Sequence, residues 1–438
     1  MKRIKKAHTF FMACIVGAIL VLGGCSSSNS DSTSDSDGNK VIKFMHIWPP
    51  GSSKTQNQIV ESVVEKYEQD NPGVKVQVEY LENEQYKDKI KVLSSSNELP
   101  DVGVTWAAGY LKPFVEGGLV ADLSDVLATD NLKDQFVGGT TEAYAFDGKT
   151  YGLPIELNIA PVYYNKEIFE KNGLEVPTTY AEFENVVKTL KASGVTPIAL
   201  GNKEGWTGSL WYMYLADRLG GSTLISEAIA QKVSFENADL EQAAANFQEL
   251  AELGAFSKGT NGLSNDEAKA EFLNETAAMY LMGSWELPNF TTSDETTQEY
   301  KDKIGYFNFP NYESNSGAPD SWIGGPGVGL FVSESSKVKD ESKEFVRYFI
   351  EEWGKQSFTK AGVIPATKVD TSSLDLPQMN IDILNDLNEA KNITLYADVQ
   401  MPASAADTHY NLLQSLVSGD ITPADFTKQT EESLKSAK

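Results

Sequence analysis

Residues 41–106, VIKFMHIWPPGSSKTQNQIVESVVEKYEQDNPGVKVQVEYLENEQYKDKIKVLSSSNELPDVGVTW, decide the fold. Val41–Ile47 is a short β-type run. Thr55–Asp70 then carries Ile59, Val63, Val64 and Tyr67 at helical spacing until Asn71-Pro72-Gly73 stops it. Val74–Tyr80 alternates with period two, as a strand does. A helical pattern over Gln85–Leu93 follows, and Pro100-Asp101 introduces the strand-like VGVTW that ends at Trp106. Strand, helix, strand, helix, strand predicts a parallel sheet with crossover helices.

The same alternation returns downstream. Thr179-Tyr180-Ala181-Glu182 has the form of a capping box, opening a helix with Phe183, Val187 and Leu190 on one face. Gly194 closes it before a strand at Pro197–Leu200. Ser264–Glu267 repeats the capping signal, Ala277–Met282 (AAMYLM) is strand-like, and Thr422-Pro423 places a cap and an N1 proline before a last helix. Two α/β units in one chain predict ligand binding in the crevice outside the carboxyl ends of the strands.

Upstream, MKRIKKAHTFFMACIVGAILVLGGC joins four cations to an apolar run too short for a comfortable membrane span of ~20 residues. Residues 1–24 read as a signal peptide, and Leu22-Gly23-Gly24-Cys25 resembles a bacterial lipobox whose cysteine receives a diacylglycerol. Residues 25–40 then form a lipidated cysteine and a flexible Ser/Asp tether, since Ser26–Lys40 holds no apolar residue. The expected location is the outer face of the cytoplasmic membrane, lipid-anchored, in a Gram-positive bacterium. The chain has 62 Asp and Glu against 37 Lys and Arg, a formal charge of −25. Losing residues 1–24 removes four positive charges and no negative ones, leaving −29. Such a surface repels polyphosphates, which argues against a nucleic-acid partner. Cys14 and Cys25 are the two cysteines, so neither a disulfide scaffold nor a thiolate cluster is available.

Catalytic signatures are absent. With His8 in the signal, His46 and His409 stand far apart, which argues against a zinc site and leaves open an all-oxygen calcium site. There is no phosphate-binding G-x-x-x-x-G-K-[ST] loop and no G-x-S-x-G elbow, and the glycines at 324–329 fail the dinucleotide pattern because Pro326 interrupts them. No cofactor is implied. Of seven tryptophans, Trp353 sits among Phe345 and Phe349 on an apparent helix and reads as core. Trp48, Trp106, Trp206, Trp211, Trp285 and Trp322 instead adjoin strand ends or turn formers. Several indoles in one crevice would offer flat apolar faces and N–H donors, which suits the C–H face and hydroxyl rim of a sugar.

Five segments in order resemble the family 1 extracellular solute-binding proteins of ABC importers, above all the oligosaccharide branch and, distantly, maltose-binding protein. They are Leu99–Gly118, Tyr151–Phe169 (YGLPIELNIAPVYYNKEIF), Met279–Trp285 (MYLMGSW), Gly327–Lys337 and Ala361–Pro365. The resemblance implies an α/β, two-lobed type II periplasmic-binding-protein fold. Each lobe is a sheet flanked by helices, and a hinge crossed more than once closes on the ligand. It places lobe 1 at 41–157 and 327–385, and lobe 2 at 158–326 and 386–438. It further implies that Trp285 stacks on the ligand, that Trp206 and Trp211 do so from the second lobe, and that Asn158 makes a polar contact with Tyr163 close by. Trp106 follows a strand that relatives end with a ligand-facing aromatic, offset by about one position. His46 and Trp48 end the first strand and share a side by alternation, and Glu82, Asp320 and Trp322 complete the candidate site.

The leading expectation is a monomeric lipid-anchored receptor that delivers an oligosaccharide to the transmembrane subunits of an ABC permease. A surface glycoside hydrolase using paired carboxylates is the alternative, because any two of many acids could meet in the fold. A surface adhesin is a third, and it would not need hinged lobes.

Overall fold

The computed structural model describes residues 38–312, 320–369 and 375–437. The expected signal segment, Cys25 and all but the last three residues of the tether lie outside the described residues.

The opening stretch folds in the predicted order as β1 (Lys40–His46), α1 (Lys54–Asp70), β2 (Val74–Tyr80), α2 (Asn83–Ser96) and β3 (Val102–Trp106). α1 buries Ile59, Val60, Val63 and Tyr67 as one stripe, which is why it holds against the sheet. The elements that matter next are α3 (Ala108–Glu116), β4 (Leu153–Pro154), β5 (Leu157–Ile159), β6 (Val162–Asn165), α4 (Tyr180–Ala192), β7 (Thr196–Ile198), α5 (Trp206–Gly220), α6 (Asn265–Leu273) and β8 (Ala277–Leu281). After them come β9 (Ile304–Phe307), β10 (Ser321–Pro326), β11 (Val328–Val332), α7 (Lys339–Gln356), α8 (Gln378–Glu389), β12 (Asn392–Thr394), α9 (Ala397–Gln400), α10 (Ala403–Ser418) and α11 (Pro423–Ser436).

Two sheets build two lobes. The first has the order β2-β1-β3-β11-β4. β1 runs parallel to β2 and β3, while the late strand β11 enters antiparallel to β3, so the sheet is mixed where the opening stretch alone predicted a parallel one. The second has the order β9-β6-β8-β7, with β8 parallel to β7 and antiparallel to β6. The three capping signals all close. Thr179 and Glu182, Ser264 and Glu267, and Thr422 and Asp425 each exchange side-chain and backbone bonds at the starts of α4, α6 and α11. α5 is different, because every residue from Thr207 to Arg218 is buried. It lies inside the second lobe with no polar face, so it carries no amphipathic period.

A third small sheet, β12-β10-β5, lies where the chain passes between lobes. Three passes meet around residues 155–157. Ile155 N donates to Val328 O (2.9 Å), Gly327 N to Glu156 O (3.0 Å), Leu157 N to Ile364 O (3.0 Å) and Ala366 N to Ile155 O (3.0 Å). The glycines here serve close approach more than torsion: a Cβ on Gly324 would stand 2.2 Å from Asn158 O, and one on Gly327 would stand 2.5 Å from Asn158 Nδ2. Gly325 does use a positive φ, +122°. The boundary expected between 385 and 386 falls inside α8. That helix reaches both ways, with Asn380 Nδ2 donating to Gly362 O (3.4 Å) and Tyr306 OH of β9 donating to Asp386 Oδ2 (2.8 Å).

Candidate functional site

On the first lobe, the chain turns sharply as it leaves β3. Ala108 takes φ +49°, a costly conformation for a residue with a Cβ, two residues after the half-buried Trp106. Tyr110 meets the Trp106 indole edge-on at 4.9 Å, and Lys87 Nζ of α2 sits 5.0 Å from the indole centroid. The same ammonium is paired with Glu84 at 3.1 Å. The start of α3 then abuts the second lobe, since a Cβ on Gly109 would lie 2.3 Å from Met401 O.

The second lobe answers with its own aromatics. Trp206 is the first residue of α5, and Gly205 before it, at φ +79°, lets the chain pass over Tyr410, whose Cβ would be 2.4 Å from a Cβ there. Trp285 occupies the turn after β8, its ring laid on Gly283 so closely that a Cβ would stand 2.1 Å away. The Trp206 and Trp285 centroids are 6.3 Å apart, and Tyr396 meets Trp285 edge-on at 5.9 Å. Tyr410 OH donates to Asp398 Oδ2 at 2.8 Å.

The two sets feel each other's charge. Burial pushes the Asp398 carboxyl up, and Lys87 of the opposite lobe pulls it back. Burial and the charges of Asp398 and Glu84 raise the Tyr410 phenol, and burial with a smaller push from Glu84 raises Glu204. α2 of the first lobe therefore looks directly at α9, α10 and the start of α5.

The hinge supplies the floor. Ser284 Oγ donates to Asn158 Oδ1 (3.0 Å) and accepts from Ile159 N (3.3 Å). Glu156 is buried, and burial pushes its carboxyl up to about 7. Asn158 Nδ2, Tyr396 OH and Trp206 Nε1 are buried and have no hydrogen-bond partner. Such groups cost roughly 1–3 kcal/mol each when left unpaired.

The predicted residues thus separate. Trp206 and Trp285 lie together, with Asn158 joined to Ser284 beside Trp285, while Trp106 stands half-buried on the first lobe with Tyr110 and Lys87. Glu82 stands at the edge of the cleft, where both carboxylate oxygens accept from Ser52 Oγ (2.9 Å) and fasten the loop after β1 to the start of α2. Tyr163 is fully buried in β6 against Phe290 (4.7 Å), and its hydroxyl has no partner. Five expectations need correction. Trp211 is wholly inside the second lobe among Phe183, Phe256 and Phe309, because α5 is buried all round. Trp48 packs on Trp353 (5.0 Å) in the first lobe's core. Trp322 is buried in the hinge strand β10, and Asp320 is a surface carboxylate paired with Lys391. His46 does share a side with Trp48, stacked at 5.5 Å, but both are enclosed, and Trp48 N donates to His46 Nδ1 (3.1 Å). Sequence reading missed Lys87, Tyr110, Tyr396, Asp398 and Tyr410. Tyr396 and Asp398 lie just before Pro402, after a three-residue strand, a pattern that marks a loop beside a sheet without saying which sheet.

Two outer depressions, of about 500 Å3 beside Lys191 and Phe256 and about 410 Å3 beside Ser222 and Leu395, contain none of these aromatics. Among the described residues no group of three or more His, Cys, Asp or Glu is placed to hold a metal ion.

Comparison with known proteins agrees with this architecture. A structure from work on xylan utilisation by Caldanaerobius polysaccharolyticus is 35% identical, with a TM-score of 0.84 over 90% of this chain and 99% of that one. A chitin oligosaccharide binding protein superposes with a TM-score of 0.83 at 24% identity, over 91% and 99% of the two chains. The multiple sugar-binding protein of Streptococcus mutans is 27% identical over 341 residues, 76% of each chain. The family model for bacterial extracellular solute-binding proteins matches residues 51–355, and with two hinged α/β lobes facing each other across an aromatic cleft, the chain belongs to that family.

Proposed function

We propose that the protein is the receptor of an ABC sugar importer and captures an oligosaccharide by closing its two lobes. One observation carries the reading: half-buried indoles stand on both lobes, Trp106 on one and the Trp206–Trp285 pair, 6.3 Å apart, on the other, and the buried donors Asn158 Nδ2, Tyr396 OH and Trp206 Nε1 have no partner. Flat apolar walls and hydrogen-bonding groups together match a pyranose, whose faces are C–H and whose rim is hydroxyl. Two or more indoles spread over both lobes suit more than one ring. The names of the relatives, a multiple sugar-binding protein and a chitin oligosaccharide binding protein, support the same ligand class.

In this reading the ligand enters between lobe 1 (41–157 and 327–385) and lobe 2 (158–326 and 386–438). Trp106, Trp206 and Trp285 stack on it, and Asn158 and Glu82 contribute polar contacts. The bound sugar is handed unchanged to the permease subunits. Cys25 carries the lipid that holds the mature chain at the outer face of the membrane, and residues 26–40 give it reach. Titration of tryptophan fluorescence and melting temperature with di- to pentasaccharides tests the reading, with chromatography of the recovered sugar as the check on chemistry. A saturable response with intact sugar is expected. A response to none of the sugars removes the ligand class, and hydrolysed product makes the protein an enzyme.

A further inference from the structure

The charged groups around the cleft are unequal. Near the aromatics Trp106, Tyr110 and Tyr410 are Glu84, Lys87 and Asp88 from α2 and Asp398 from α9, with Glu204 before α5 and Glu156 in the hinge. Asp407 on α10 and Lys203 beside Glu204 add exposed charges at the outside. Lys87 is already held by Glu84. Of the remaining carboxylates, Asp398 accepts from the Tyr410 hydroxyl and Glu204 from Asn265 N (3.2 Å), Glu156 is buried in the hinge, and Asp88 is exposed.

Arginine is the second half of the argument. The chain has three, Arg3, Arg218 and Arg347. Arg218 is fully buried and donates to Asp217, Ser321, Asn308 and Phe309 O, while Arg347 is ion-paired with Glu344 and Glu351 on α7. Neither described guanidinium reaches the cleft, so the fork that binds a carboxylate or sulfate bidentately is missing. The cleft donors without a partner, Asn158 Nδ2, Tyr396 OH and Trp206 Nε1, are all neutral. A hydroxyl can donate to the resident carboxylates and accept from these groups. An anion would be desolvated against carboxylates, with Lys87 already paired to Glu84 and Lys203 out in the solvent.

We infer that the cleft selects oligosaccharides that carry no acidic group, rejecting uronate, aldonate or sulfate forms of the same sugar backbone. This rests on the reading that the cleft takes a sugar.

The test compares one oligosaccharide in two forms that differ in charge and hardly in shape. The tightest binder from a neutral panel is oxidised at its reducing end to the aldonic acid, and part of that product is converted to the aldonamide. Calorimetry at pH 7.5 and low salt is expected to show the aldonate binding at least tenfold more weakly than the aldonamide. Asp398→Asn is expected to narrow the gap, and the wild-type comparison stands alone if that variant does not fold. An aldonate that binds as tightly as the aldonamide overturns the charge selection and leaves the sugar receptor intact. Failure of every neutral sugar to bind overturns both.

Discussion

At the scale of single residues, Trp285 and Trp206 belong to the cleft and Trp211, five positions further on, belongs to the core. Removing an indole that stacks on a ligand costs ~1–3 kcal/mol, or about tenfold or more in affinity. Trp285→Ala and Trp206→Ala are therefore expected to weaken oligosaccharide binding by at least tenfold in calorimetry while leaving the melting temperature close to wild type. Trp211→Phe should do the reverse, lowering stability with little change in affinity. Glu156 makes a second prediction at this scale. Its folded value of about 7 stands above the ordinary 4.5, so the native state holds the proton more tightly. Its contribution to stability is full below pH 4.5 and is lost as pH rises to 7, about 3 kcal/mol in all. Glu156→Gln should raise the unfolding free energy at pH 8 and change it little at pH 4, as read by urea titration. The buried His46 and His409 act in the opposite direction: burial lowers both to about 3, so their contribution is lost as pH falls from 6.5 toward 3.

At the scale of elements, the buried Asp217–Arg218 pair ties α5 to the hinge. Arg218 Nη1 donates to Ser321 Oγ (2.9 Å) and Nη2 to Ser321 O (3.1 Å) on β10, while Nε donates to Phe309 O (3.0 Å) after β9. Taking away the guanidinium leaves a carboxylate in the second lobe without its cation, which costs ~3–5 kcal/mol. Arg218→Ala is expected to lower the unfolding free energy from urea titration by that amount, and an effect under 1 kcal/mol would show the network to be ornamental. Elements closed by local chemistry were readable in advance: the capping boxes of α4, α6 and α11 each need only four consecutive residues to form. α5 and β10 were not, because continuous burial erases the alternation that marks a helix or strand face. That is why Trp211 and Trp322 read as turn residues and proved to be interior ones.

At the scale of the whole molecule, function requires the lobes to meet, and Gly109 is one place where they pack tightly. A side chain there would collide with the Met401 carbonyl of the other lobe, yet within α3 it breaks nothing. Gly109→Val is expected to fold with near wild-type stability but to hold the lobes apart. Small-angle scattering should then show a radius of gyration that no longer falls on adding sugar, and affinity should drop at least tenfold. Normal closure in this variant would mean that the contact at Met401 is not part of the closed state.

The opening residues 41–106 determined by themselves that a sheet would form, since period-two and period-3.6 patterns are local consequences of which faces are buried. The ordered segments from Leu99 to Pro365 likewise announced the family, and the position of Trp285 after β8 was legible with them. Only the tertiary structure decided that β11 enters the first sheet antiparallel, that six exceptional tryptophans divide into three at the cleft and three in the interior, and that Lys87, Tyr110, Tyr396, Asp398 and Tyr410 join them. The reason is distance along the chain. Whether an indole faces a guest or a core depends on which segment arrives opposite it, and for Trp285 those segments, Trp206 and Tyr396, lie far along the chain on either side.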